Sequence, residues 1–370
     1  MTLEALRGGR HPGTAARPAG PEPSARKDRK DRQDGQGRQD GQGRQDGKSR
    51  KDRSPVTDRS LAALGLAGAP AELPLTYPGR PVTEPALLTG GELLPLRVAA
   101  GARLGAWTVV AAMDHPRSAP DGDPEEEPEL DRLLGHLGLP AADARYPVVA
   151  VGSNASPAQL HHKLDGAGLS TTVPMVPVLV RGLAVGCSGH IGRHGYVAAT
   201  PYADPAGEQA LVISWLDGAQ LAAVDATELN YRRVLLPGTG FPMAMPSGER
   251  LAGAYLYVSS HGVLTDPATG LPRPGGGDQR ALLTRLLAGS AALRRLLGPG
   301  PEVWVARAAA DPAAREAGKQ VFRREGWVRT ADGLPAPPAD GAAPADRAYG
   351  ELPPLLTESD AAFTSSVNLT

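Results

Sequence analysis

A chain of 370 residues has room for two ordinary domains, but 46 Gly and 37 Pro beside only 4% aromatic residues leave material for one modest core with long flexible flanks. The net charge of −1 excludes a general polyanion binder, whose affinity requires many uncompensated Lys and Arg opposite phosphates. A single cysteine, Cys187, excludes an intramolecular disulfide and suits a reducing compartment.

Residues 1–59 read as a disordered, charged, low-complexity tail. Within them, 26–59 carry twelve Lys or Arg against seven Asp and repeat RQDGQG at 32–37 and 38–43, then RQDGKS at 44–49. Such a segment buries too little to offset its ordering entropy, and six residues match no period that stacks into a solenoid. A solvated tail is favoured over a nucleic-acid or acidic-partner role, because Asp recurs inside the basic repeat. Met1 leads into a segment without the apolar run of a secretory signal. No apolar stretch reaches the roughly 18 residues of a membrane helix, so the expected location is the cytoplasm, away from membranes.

Residues 60–145 read as a partly ordered arm followed by an acidic linker at 118–129. Short apolar stretches at 61–66, 93–98 and 107–113 fit either edge strands or an arm laid over the main domain, and periodicity does not decide between them. The main domain is expected over 146–326. YPVVAV at 146–151 fits a buried strand ending at Gly152, and Ser156, Pro157 and Gln159 predict a capped helix start. Strands are predicted at 173–185, 196–200, 210–216, 231–236 and 252–258. Asp217 with Gln220 predicts a second capping box opening a helix to about Glu228. Asp278 caps a Leu-rich helix, 302–306 reads as a strand, and Asp311-Pro312 opens a last helix stopped by Gly326. Residues 327–370 read as a Pro/Ala-rich tail. Strands outnumber helices without regular alternation, which predicts an α+β domain.

Two places carry chemistry. Where strand gives way to helix, Gly152 lets a ligand approach the backbone, and the N–H groups that follow converge on one spot, with Ser153 and Asn154 adding side-chain donors. Farther on, Leu221, Val224 and Glu228 are spaced i, i+3, i+7, which puts the carboxylate on the inward stripe of its helix. Burial there raises a carboxyl pKa toward the range useful for acid and base work. An ion pair with Arg232 or Arg233 explains the position as well, and the pattern leaves the two level. Cys187 beside His190 and His194 offers a Cys/His nucleophile, although a turn with an inert thiol is favoured in so Gly-rich a stretch. His161 and His162 are adjacent and cannot face one metal together, so no metal site is expected.

The segment VVAVGSN at 148–154, Ala198-Ala199-Thr200-Pro201, and ALVISWLDGAQLAAVDATELNYRR at 210–233 with the aliphatic strand near 255–258 together resemble the γ-glutamylcyclotransferase-like superfamily over about 146–300. The resemblance implies a small mixed β-barrel-like sheet with surrounding helices, and a substrate loop of aromatic-Gly-Ser-Asn-Leu type with one catalytic glutamate. Carried onto this chain, Val151, Gly152, Ser153 and Asn154 bind substrate and Glu228 is the acid/base. Val151 replaces the usual aromatic and Ala155 the usual Leu, which alters the pocket wall. The implied reaction is cyclisation of a γ-glutamyl compound to 5-oxoproline with release of an amine or amino acid, needing neither metal nor organic cofactor. The alternative is a catalytically inactive, ligand-binding or regulatory member of the same fold.

Overall fold

The computed structural model describes residues 58–110, 127–336 and 346–355. The repeat tail and most of the acidic linker lie outside them. In chain order the elements are β1 (Ala86–Thr89), β2 (Glu92–Arg97), β3 (Thr108–Val109), α1 (Leu130–His136), β4 (Tyr146–Ala150), α2 (Pro157–Gly166), β5 (Val173–Cys187), β6 (Ala199–Leu216), α3 (Gly218–Thr227), β7 (Tyr231–Pro237), β8 (Met243–Ala244), β9 (Gly253–Ser259), β10 (Val263–Leu264), α4 (Gln279–Gly289), α5 (Ala291–Leu297), α6 (Pro301–Ala310), α7 (Pro312–Arg324) and β11 (Val328–Arg329).

The domain is α+β. Its large mixed sheet runs in the order β3-β2-β1-β5-β6-β4-β9-β7, with β8 on β5, while β10 and β11 form a separate ribbon. Among the described residues the end strands β3 and β7 do not pair with each other, so closure into a barrel is not shown. Of the stretches left undecided by periodicity, 93–98 joins this sheet through β2 and 107–113 through β3, while 61–66 begins as a turn.

Alternation along the central strands divides the sheet into two apolar faces. Leu211, Ile213 and Trp215 of β6 point to one face with Val149, Leu256 and Val258. Val212 and Leu216 point to the other with Val148, Tyr255 and Tyr257, and there α2 adds Leu160 and Leu164 while α3 adds Leu221 and Val224. A third core joins α4 to α7 around Trp304, Phe322 and Trp327.

Several local expectations are corrected. The predicted strand at 302–306 is part of α6: Pro301 sits in the first turn with Glu302, and Trp304 and Ala308, four residues apart, are buried on one face. The Leu-rich helix is two helices, because the Ser290 side chain accepts from the Leu293 N–H and caps a new start. The predicted strand at 210–216 and the last two residues of that at 196–200 belong to one long strand, β6, which forms a hairpin with β5 interrupted by a bulge beside Gly182; residues 196–198 lie before it. Helix α2 begins after Ser156 as expected, but Ser156 makes no side-chain cap, and Gln159 Oε1 instead accepts from the Ala71 N–H. The Asp217–Gln220 box forms in full.

Register brings one end of the sheet into focus. β4 and β9 are parallel and β7 is antiparallel to β9, with Tyr231 opposite Ser259. The C-terminal ends of β4 and β9 and the N-terminal start of β7 therefore share one end. Residues 151–154 follow β4 and Glu228 precedes β7, so the topology delivers both to the same rim.

Candidate active site

A cavity of about 370 Å³ opens at that rim. Val151, Gly152, Ser153, Asn154 and Glu228 all line it, so the structure brings together every site residue expected from the sequence. Residues 153–155 form a single 3-10 turn between β4 and α2. Within the turn, the Ala155 N–H donates to the Gly152 carbonyl and the Ser156 N–H to the Ser153 carbonyl, and the first amides of such a turn have no partner inside it. Gly152 is required by sterics: a Cβ there would lie 2.4 Å from the Tyr77 hydroxyl.

Glu228 is the C-cap of α3. Its Oε1 accepts from Lys163 Nζ at 2.7 Å and from Asn154 Nδ2 at 3.1 Å, and the Lys163 ammonium also donates to Asn154 Oδ1 at 2.8 Å. The closed triangle ties the loop, α2 and α3 together across 74 residues of sequence. The ion pair is mostly buried, with 11% of the Lys163 side chain and 15% of that of Glu228 exposed. Both lie on the cavity, and Oε2 accepts no bond from the described residues. The alternative pairing with arginine does not occur. Arg232 pairs with Asp332, and Arg233 reaches Asp225 and Asp346.

The facing wall is aromatic and neutral. Tyr77 stacks on Tyr196 with ring centroids 4.3 Å apart. The Tyr77 hydroxyl accepts from the Ala199 N–H at 2.7 Å, and the Tyr231 hydroxyl donates to the Ala199 carbonyl at 3.0 Å. Burial, with the other phenols and the Glu228 charge adding to it, holds Tyr77 and Tyr231 well above the ordinary phenol range. Burial and then the Glu228 charge push Tyr196 up to about 12. All three phenols stay protonated at neutral pH.

The thiol reading of Cys187 fails on geometry. Cys187 is 2% exposed, its Sγ donates to the Pro274 carbonyl, and burial pushes it up to about 12, so the thiol is inert. His161 and His162 hold no common ligand: His162 Nδ1 lies 3.8 Å from Glu72, and His161 lies under Gly91. Among the described residues no group of His, Cys, Asp and Glu has metal-binding geometry, and no helix is long and apolar enough to cross a membrane.

Sequence reasoning missed Lys163, Tyr77, Tyr196 and Tyr231. For Lys163 a signal was present, since it lies four residues after Gln159 in α2 and both line the cavity. For Tyr77 none was: it reaches the site from a segment more than 70 residues upstream of the loop it touches.

No protein-family model and no curated protein matches the chain. Among solved structures, a solution structure from Arabidopsis thaliana overlaps 41% of this chain and 81% of its own at 19% identity and TM-score 0.26. A second Arabidopsis solution structure overlaps 40% and 85% at 18% identity and TM-score 0.26. A structure titled gamma-glutamyl cyclotransferase overlaps 31% of this chain and 67% of its own at 14% identity, again with TM-score 0.26.

Proposed function

We propose that this chain cyclises a γ-glutamyl compound to 5-oxoproline and releases an amine or amino acid, with Glu228 carrying protons and the 152–154 loop stabilising the oxyanion. The observation that carries the reading is the Asn154–Glu228 contact at the mouth of a ligand-sized cavity. It sets a carboxylate whose second oxygen accepts no bond from the described residues beside the turn that follows β4.

The reaction asks little else of the protein. The substrate α-ammonium loses a proton to Glu228 Oε2, and the freed amine attacks the side-chain carbonyl carbon. Negative charge grows on the carbonyl oxygen, where preorganised N–H donors are each worth roughly 3–4 kcal/mol. The bond to the leaving nitrogen then breaks. The attacking nitrogen keeps one hydrogen as the ring amide, and the two protons it sheds end on the leaving nitrogen, which departs as an ammonium. Glu228 carries these in turn and ends as the carboxylate it began as. Attack within one molecule supplies about 7–11 kcal/mol of the acceleration when the substrate is held bent. The Tyr77, Tyr196 and Tyr231 wall provides that restraint, and with the Tyr77–Tyr196 stack supplies aromatic surface that Val151 does not.

A second reading has its own observation. The Lys163 ion pair engages one Glu228 oxygen, as suits an inactive fold member that binds a small zwitterion. The test is mass-spectrometric detection of 5-oxoproline from a panel of γ-glutamyl amines and γ-glutamyl amino acids, with wild type beside Glu228→Gln. Release by wild type and its loss in the variant support the enzyme. Binding of the panel by calorimetry without release from any member sinks it in favour of the ligand-binding reading.

A further inference from the structure

The cavity has a second polar end that the reaction above does not use. His190 is 4% exposed, lines the cavity, and follows β5 through Gly189, where a Cβ would lie 2.3 Å from the His261 carbonyl oxygen. Its Nδ1 lies 2.5 Å from Ser188 Oγ, which lies 2.7 Å from Ser259 Oγ, and Ser259 Oγ accepts from the His261 N–H at 3.0 Å. This is no hydrolase dyad, because Ser188 is fully buried.

The direction of the proton chain follows from counting donors. Ser259 Oγ already accepts an amide proton, and among the described residues the only acceptor for its own hydrogen is Ser188 Oγ. Ser188 in turn has only His190 Nδ1 to receive its hydrogen. Nδ1 is thereby an acceptor, and the imidazole proton must sit on Nε2. Nε2 has no partner among the described residues and is not among their sealed, unpartnered polar atoms, so on a residue that lines the cavity it is the ring atom left open.

We infer that His190 is a substrate-binding residue whose Nε2–H, fixed in orientation by Ser188 and Ser259, donates to a carboxylate or carbonyl oxygen of the ligand. A neutral donor suits this place because it fixes an oxygen without competing with Lys163 for the Glu228 carboxylate. Burial and the neighbouring His261 push His190 down to about 3, which keeps the ring uncharged. The inference rests on the proposed function only for the ligand class.

The experiment uses full-length protein labelled with nitrogen-15 histidine, the His190 signals being assigned by their absence in His190→Gln. The expected spectrum shows an unprotonated Nδ1 and a protonated Nε2 whose resonance moves on adding 5-oxoproline or acetate. A protonated Nδ1 overturns the assignment, as does an Nε2 resonance unmoved by both compounds. Variants add a kinetic reading. His190→Asn keeps a polar atom near Nδ1 and loses the cavity donor, so kcat/KM is expected to fall about ten- to hundredfold. His190→Gln places an amide near Nε2 and should recover to within about threefold of wild type. Equal losses in the two variants point to a merely structural role and overturn the inference. If no γ-glutamyl compound yields 5-oxoproline yet acetate moves the Nε2 signal, the proposed function fails and this assignment stands. If 5-oxoproline forms and the signal stays fixed, the assignment fails alone.

Discussion

The two walls of the cavity handle polarity in opposite ways. On one, Asn154, Lys163 and Glu228 keep full charges within a closed triangle of hydrogen bonds. On the other, Tyr77 and His190 are buried, Tyr231 is half-buried and all three are neutral; the two hydroxyls are held by the Ala199 backbone and His190 Nδ1 by Ser188, while His190 Nε2 is left for the cavity. Charge survives near the protein interior only when paired, whereas a neutral polar group can stand there with one atom anchored to the protein and another left for a ligand. Under the proposed function, proton traffic falls to the first wall, and shape and orientation to the second.

The sharpest way to break that division is Glu228→Gln. The amide is nearly isosteric but carries no proton, so kcat/KM is expected to fall by about 10²–10⁴ while ligand affinity changes only a few-fold. Substantial remaining turnover would move the proton carrier to the other wall. The next effect is on stability. Unfolded, His190 takes a proton near 6.5, whereas folded it does so only near 3. Between those values the unfolded chain binds more protons, so stability falls as pH drops through the window. The loss from pH 7 to pH 5 is expected to be about 2 kcal/mol for this residue. Chemical denaturation of wild type and His190→Gln at both pH values isolates it, because His261 and the remaining titrating groups are shared. An equal pH dependence in the two proteins would show that His190 is not buried neutral.

A pair of charges makes a smaller but more diagnostic case. Lys163→Met strands the Glu228 carboxylate and Asn154 Oδ1, and is expected to cost about 1–3 kcal/mol of stability. Adding Glu228→Gln should return much of that, since no unpaired ion then remains. Additive losses by thermal or chemical unfolding would show that the triangle contributes little as a unit.

What could be read from the sequence was what local spacing controls. The Asp217–Gln220 box, the strand-to-turn transition at Gly152 and the inward pair Leu221 and Val224 each lie within a few residues, where backbone geometry fixes outcome, whereas Glu228 falls just past the helix as its C-cap. The partner of Glu228 was not of this kind. Arg232 and Arg233 are near in sequence, but β7 carries them toward Asp332, Asp225 and Asp346, while Lys163 arrives from a helix 65 residues earlier. The misread at 302–306 has another cause. Val303, Trp304 and Val305 are β-prone, and only the burial of Trp304 and Ala308 on one side of a Pro-initiated turn resolves them into a helix.

The contact between Gly152 and Tyr77 supplies the finest test of how the walls are held apart. Gly152→Ala forces a methyl against the Tyr77 hydroxyl, and such overpacking costs about 1–3 kcal/mol. Tyr77→Phe removes that hydroxyl and leaves the Ala199 N–H without its acceptor, for a penalty of about 1–2 kcal/mol. Together the substitutions should cost less than their sum, because the methyl then occupies the space the oxygen vacated. The Tyr231 hydroxyl still donates to the Ala199 carbonyl, so the wall keeps half of its anchorage and the double variant should fold. Strict additivity, measured by chemical denaturation of the four proteins, would mean that the hydroxyl pressed against Gly152 is not what excludes a side chain there.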